Sequence, residues 1–130
     1  MTKILIADDE RHVLRVLSQS LERAGYEVDG VLNGEAALHK VRERQPDVLI
    51  TDVQMPRMTG EELCKIIQAE MPDRKFLIFV LTSRTEVEHR EWSRTIDNLK
   101  FLEKPVSIRR LISVLEQYFT QTDASGERVA

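Results

Sequence analysis

Five short apolar runs, each followed by a stretch with helical spacing, alternate along this chain, and that alternation restricts the fold more than any other feature. Lys3–Ala7 is a short apolar run ending on Asp8-Asp9, as a strand buried on both faces would be. Val13, Leu14, Val16, Leu17 and Leu21 then recur at helical spacing, and Gly25 stands where a helix ends. Residues 26–31 read as a second strand. Residues 35–44 read as a helix with Ala37, Leu38 and Val41 on its apolar stripe, and Pro46 stops it.

Residues 47–51 (DVLIT) form the third run and deliver the chain to Asp52. Thr59-x-x-Glu62 is a capping box opening a helix with Leu63, Ile66 and Ile67 inward. Residues 76–81 are the most continuously apolar run, which predicts a central strand, and residues 99–102 make a short fifth one. Between them, residues 84–95 predict a fourth helix. Ser107 can cap a fifth, with Ile108, Leu111, Ile112, Leu115 and Tyr118 on one face. Such a (βα)₅ series predicts an α/β fold: a doubly wound, five-stranded parallel sheet with five helices. Its expected strand order is the flavodoxin-like 2-1-3-4-5, with right-handed crossovers.

Composition bounds the rest. A chain of 130 residues fits one domain. We place its folded part at residues 1–119, with residues 120–130 (TQTDASGERVA) as a polar tail or the start of a linker. The net charge of −3 offers no basic footprint for nucleic acid, so direct nucleic-acid binding is not expected. The single cysteine, Cys64, has no disulfide partner in the chain and suits a reducing, cytoplasmic setting. No apolar run approaches the roughly 20 residues that span a bilayer, and no membrane partner is expected. The opening MTKILIA is too short for a signal peptide.

In open α/β sheets the working site lies at the carboxyl ends of the strands. There the sequence sets Asp8 and Asp9 after the first strand, Asp52 after the third, Thr82 and Ser83 after the fourth, and Lys104 and Pro105 after the fifth. Singly, each has an ordinary structural role. Asp8-Asp9 alone reads as a helix N-cap, Asp52 as a turn residue, Thr82 as another N-cap and Lys104 as a solvated charge. Jointly they bring three carboxylates, a hydroxyl and an ammonium to one edge. Clustered carboxylates call for a cation, oxygen ligands favour a hard one, and positioned donors suit a phosphoryl group.

These residues resemble the receiver domains of two-component response regulators. The matching segments are ILIADDE at 4–10, DVLITDVQMPRMTG at 47–60, FVLTS at 79–83 and FLEKP at 101–105. Thirty residues separate Asp52 from Thr82 and 22 separate Thr82 from Lys104, which also fits. The resemblance implies that Asp52 is the phosphorylation site. It implies Mg²⁺, or another divalent cation such as Mn²⁺, on Asp9, Asp52 and the Gln54 carbonyl, with Asp8 acting through water. Lys104 would pair with the phosphoryl group beside a bond to Pro105 that can be cis. Ser83 would stand beside that group, and Met55, Pro56 and Gly60 would shape the loop after the site. Thr82 and Phe101 would form a switch pair, although Phe101 alone reads equally as a core aromatic.

The implied partners are a histidine kinase or phosphotransfer protein upstream, and a downstream protein or a fused output domain. The implied state is a monomer or a weak, phosphorylation-dependent dimer. The chain would be a signalling module with at most slow self-dephosphorylation. An aspartate-nucleophile phosphatase is the competing reading, but such sites place a second acid two residues after the nucleophile, where Gln54 stands.

Two places depart from the family pattern. Asp97-Asn98 replaces a usual Gly-Ala before the fifth strand, where Asn can adopt a left-handed turn. The fourth helical stretch offers only Val87 and Trp92 as large apolar residues, which predicts the least stable helix. Trp92 reads as partly buried against neighbours, or alternatively as an exposed anchor. Gln54 and Arg84 flank the phosphoryl position, where Arg84 could contact an oxygen. His12, His39 and His89 read as solvated, and Cys64 as semi-buried and inert.

Overall fold

The computed structural model describes residues 1–83 and 91–120. Five strands, β1 (Lys3–Ala7), β2 (Glu27–Val31), β3 (Val48–Asp52), β4 (Leu77–Thr82) and β5 (Leu99–Glu103), form one parallel sheet in the order β2-β1-β3-β4-β5. The expected order is therefore the observed one. The strands β1, β3 and β4 have neighbours on both sides, and β3 and β4 are buried at every position. Such strands must read as continuous apolar runs because helices cover both faces. The edge strand β5 alternates in exposure instead.

The helices are α1 (Arg11–Arg23), α2 (Gly34–Glu43), α3 (Gly60–Glu70) and α4 (Ile108–Thr120). Five helices were expected, and the described residues hold four α-helices plus a 3₁₀ turn at Glu91–Thr95. The remainder of the expected fourth helix, residues 84–90 with Arg84, Val87 and His89, lies outside the described residues, as does the tail at 121–130. No described helix is long and apolar enough to cross a membrane.

Local chemistry starts and stops these elements. The Asn33 side chain accepts from the Ala36 amide at 2.8 Å to cap α2, and the Ser107 hydroxyl accepts from Arg110 at 3.0 Å to cap α4. The Thr59–Glu62 capping box of α3 is complete. Gly25, at φ 101°, ends α1 in a conformation only glycine adopts without strain. Asn98 takes φ 52°, the left-handed turn expected of it, and its side-chain amide donates to the carbonyls of Lys75 and Phe76.

Alternation along the strands splits the core in two. Ile4, Ile6, Ile50, Phe79 and Leu81 face α1 and α4, where Leu17, Leu21, Leu111 and Leu115 close over them. Leu5, Leu49, Ile78 and Val80 face α2 and α3, covered by Leu38, Val41, Leu63 and Ile67. Cys64 is fully buried in this second layer rather than semi-buried. Ile66 is only partly buried. Val16, read as part of the α1 stripe, is 40% exposed: one residue back from Leu17, it is rotated about 100° off the buried line.

Candidate functional site at the carboxyl edge of the sheet

Register fixes which side chains meet. Thr51 on β3 pairs with Ala7 on β1 and Val80 on β4, and Thr82 pairs with Glu103 on β5, so all four strands end at nearly one level. Asp52 closes β3, and the residues just past the other three ends are Asp8, Ser83 and Lys104. The sheet delivers to one edge the polar groups that the sequence scatters over almost a hundred positions.

Asp52 is 3% exposed, and its Oδ1 accepts from the Val53 amide at 2.8 Å and lies 2.8 Å from Lys104 Nζ. The Thr51 hydroxyl donates to the Asp52 carbonyl at 2.9 Å. Asp8 is also buried, and its Oδ1 accepts from the Glu10 amide at 2.9 Å. Burial pushes the Asp8 carboxyl above its ordinary range. The Glu10 amide opposes this, the charge of Asp52 adds to it and the charge of Lys104 offsets it. Asp9 is exposed, at the mouth of the site.

One carboxylate oxygen from each of Asp8, Asp9 and Asp52 falls within 4.8 Å of the other two. Three oxygens so close, one of them on a carboxyl that burial disfavours as an anion, suit a hard divalent cation that keeps part of its water shell. The donor set fits Mg²⁺ or Mn²⁺ and holds no soft ligand.

The hydroxyl of Thr82 is fully buried and has no hydrogen-bond partner among the described residues. Buried polar atoms are nearly always paired, so an orphan at a strand end among carboxylates asks for a ligand-dependent partner. Ser83 follows it, partly exposed. The Lys104 amide donates to the Thr82 carbonyl at 2.7 Å, tying the two strand ends together, and the Lys104–Pro105 bond is cis.

The loop after Asp52 is built around contact rather than chance. Met55 is buried, whereas Gln54 and Pro56 are exposed. The Gly60 amide donates to the Val53 carbonyl at 2.7 Å, and a Cβ on Gly60 would stand 2.2 Å from the Asp52 carbonyl oxygen. Only glycine lets α3 start that close to β3.

Some features escape sequence reasoning. Arg57 adopts φ 69° in this loop, with its guanidinium 3.9 Å from Glu35. Phe101 is half-buried and its ring meets Trp92 at 5.8 Å and 76°; Trp92 is itself partly buried against the α2–α3 core, as the first of its two readings has it. His12 and His39 are exposed, as expected, and His39 pairs with Glu43 at 2.7 Å.

Two grooves are relevant. One of about 370 Å³ adjoins the site, running from Asp8 and Lys104 past Val13, Val16, Pro105 and Val106. A larger one, about 960 Å³, lies at the opposite edge beside Asp47, Arg74 and Phe119, away from the carboxylates. Chemistry rather than size marks the first as the functional end.

Comparison with known proteins agrees with this geometry. The family model described as the response regulator receiver domain matches residues 4–116. The alkaline phosphatase synthesis transcriptional regulatory protein PhoP of Bacillus subtilis is 34% identical over 109 residues, covering 84% of this chain and 45% of that protein. The response regulator MprA of Mycobacterium leprae is 34% identical over 130 residues, covering 98% of this chain and 56% of its own. The chain thus spans about half the length of the curated relatives it matches. Among solved structures, the chemotaxis response regulator CheY4 of Vibrio cholerae superimposes with a TM-score of 0.81 at 32% identity, covering 90% of this chain and 98% of that one. TrrA of Thermotoga maritima, in complex with Mg(2+)-BeF, has a TM-score of 0.78 at 29% identity, covering 90% of this chain and 98% of that one.

Proposed function

The chain belongs to the response regulator receiver domain family, and from that premise we propose that Asp52 is its phosphoacceptor. The observation that carries the reading is the Asp52 carboxylate, held 2.8 Å from Lys104 Nζ, within the Asp8–Asp9–Asp52 cluster and close in the fold to an unpartnered Thr82 hydroxyl.

A carboxylate oxygen of Asp52 attacks the phosphorus of the donor. The new P–O bond forms as the bond to the leaving nitrogen of a phosphohistidine breaks, and that nitrogen keeps the electron pair. Asp8, Asp9 and Asp52, with the Gln54 carbonyl, would hold Mg²⁺ or Mn²⁺, whose charge offsets that of the carboxylates and the phosphoryl oxygens. Lys104 transfers its ion pair from the carboxylate to a phosphoryl oxygen, and the Thr82 hydroxyl donates to another. Ser83 stands beside the same oxygens. Phe101 then turns inward behind Thr82, and the face shared by the expected fourth helix (residues 84–95), β5 and α4 changes shape for a partner.

The receiver domain acts as a signalling module, and hydrolysis of the acyl phosphate is slow. The donor is a histidine kinase or phosphotransfer protein. Its approach is favoured beside the apolar groove of Val13, Val16 and Val106, which borders the site and leaves Val16 exposed. The relatives narrow the expectation that nucleic acid plays no part. PhoP is named a transcriptional regulatory protein, so a gene-regulatory output through a fused domain is the reading that name favours. The net charge of −3 still argues against nucleic-acid contact by the receiver fold itself.

Incubation with acetyl phosphate and Mg²⁺, followed by intact mass, tests the reading. The wild-type chain gains one phosphoryl group and the Asp52→Asn variant gains none. A folded wild-type chain that binds the metal and remains unmodified overturns it.

A further inference from the structure

We propose that Trp92 is a positioning residue for Phe101. Its ring holds the aromatic half-buried while the Thr82 hydroxyl is disengaged, so phosphorylation of Asp52 is reported through the separation of the two rings. The inference rests on the phosphoacceptor reading above.

The sheet register supplies the geometry. Phe101 pairs with Val80, and Thr82 lies two residues beyond Val80, so the Phe101 ring and the Thr82 hydroxyl project from the same face. Phe101 and Trp92 meet edge to face, with centroids 5.8 Å apart and planes at 76°. That arrangement attracts beyond the area it buries, because the positive edge of one ring meets the negative face of the other. In this position Thr82 has no partner, so the ring pair belongs to the state in which the hydroxyl is not yet engaged.

The base on which Trp92 stands is anchored. Ile96, at the end of its 3₁₀ turn, is buried, and the Ile96 amide donates to Ser93 at 3.0 Å. Immediately after, the Asp97 amide donates to the Gln68 side chain on α3, Arg74 donates to the Asp97 carbonyl, and the Ile78 amide of β4 donates to the Asn98 carbonyl. The turn is thereby fastened to α3 and β4 at its C-terminal side. Phe101 therefore leaves Trp92 by breaking the ring contact rather than by carrying the turn along.

Engagement of Thr82 by a phosphoryl oxygen draws the hydroxyl toward Asp52 and favours the inward position of Phe101. Trp92 opposes that step, and by linkage it lowers the affinity of the site for a phosphoryl group. Loss of one aromatic pair corresponds to roughly 2- to 10-fold in such an equilibrium.

Trp92 is the single tryptophan, so the chain carries its own reporter. The experiment follows tryptophan emission of the whole chain during titration with beryllofluoride and Mg²⁺, alongside the Thr82 amide resonance, with acetyl phosphate labelling by intact mass in parallel. Emission changes with the same midpoint as the Thr82 resonance. Trp92→Leu saturates at roughly 2- to 10-fold lower beryllofluoride, and Trp92→Phe, which keeps a ring, stays within about twofold of wild type. Unchanged emission in a fully labelled wild-type chain, or a Trp92→Leu midpoint equal to wild type, overturns the inference and leaves the phosphoacceptor reading intact. No label on the wild-type chain removes that reading and this one with it. Circular dichroism checks that Trp92→Leu folds; if it does not, wild-type emission decides.

Discussion

Lys104 Nζ lies 2.8 Å from Asp52 Oδ1, joining the end of an edge strand to the end of a central one across β4. Asp52 is buried and Lys104 about a third exposed, so the carboxylate depends on this pair more than the ammonium does. Lys104→Met leaves Asp52 beside two other carboxylates with less compensation. In metal-free urea titrations it costs about 1–3 kcal/mol, less than a fully buried pair because solvent reaches the lysine. In the Asp52→Asn background the same change costs far less. Equal losses in both backgrounds show that the pair carries no coupling.

Mg²⁺ is expected to stabilise the wild-type fold, because the proposed site gathers three carboxylates in the folded chain that are far apart in the unfolded one. At ten times its Kd a single bound ion adds about 1.4 kcal/mol. The gain is read as a rise in thermal midpoint that EDTA reverses. Asp9→Asn, which removes one of the carboxylates, reduces it.

Thr82→Val separates stability from signalling. Valine fills nearly the same volume and removes a buried hydroxyl that has no partner. Unfolding free energy stays level or rises by about 1 kcal/mol. Beryllofluoride binding weakens in the same variant because the engaged state loses its hydrogen bond. A destabilised Thr82→Val with undiminished binding contradicts both halves.

Gly60 tolerates no side chain. Its Cβ would meet the Asp52 carbonyl at 2.2 Å and the Val53 Cα at 3.0 Å, both backbone atoms that cannot rotate away. Gly60→Ala is expected to cost about 2–4 kcal/mol and to shift the Asp52 backbone resonances. A silent substitution means that α3 starts farther from the site.

Cys64 reports on folding through its thiol, which burial pushes up to about 12. Unfolded, it titrates near 8.5. Above that value the unfolded chain releases a proton that the folded chain keeps, so Cys64 lowers stability as pH rises, by about 1.4 kcal/mol per unit within the window. Below it the group contributes no slope. Stability of wild type minus that of Cys64→Ala, measured by urea at pH 7.5 and 10, falls accordingly. Thiol reagents label the folded chain only through unfolding.

Much of this was legible in the sequence because parallel sheets leave strong marks. Strands buried on both faces are almost wholly apolar, so β1, β3 and β4 announce themselves, and Asp8, Asp52 and Thr82 stand out as polar residues at their carboxyl ends. Strand order came instead from analogy with doubly wound sheets, because apolar pattern and crossover handedness alone admit other orders. The Asn98 turn and the Thr59–Glu62 cap were readable from residue chemistry alone.

The remaining features depend on distances between segments remote in sequence. Nothing at position 60 reveals that its backbone presses on Asp52, because helical placement decides that approach. Val16 and Leu17 are equally apolar, and only the rotation of α1 against the sheet leaves one of them exposed. Phe101 reads from sequence as core or switch alike, and only the fold sets its ring against Trp92, nine residues away across a turn. The sequence by itself determined which groups reach the carboxyl edge, since strand periodicity is local. Tertiary structure alone decided that Thr82 lacks a partner among the described residues while Lys104 has Asp52, since pairing is set by packing across the sheet.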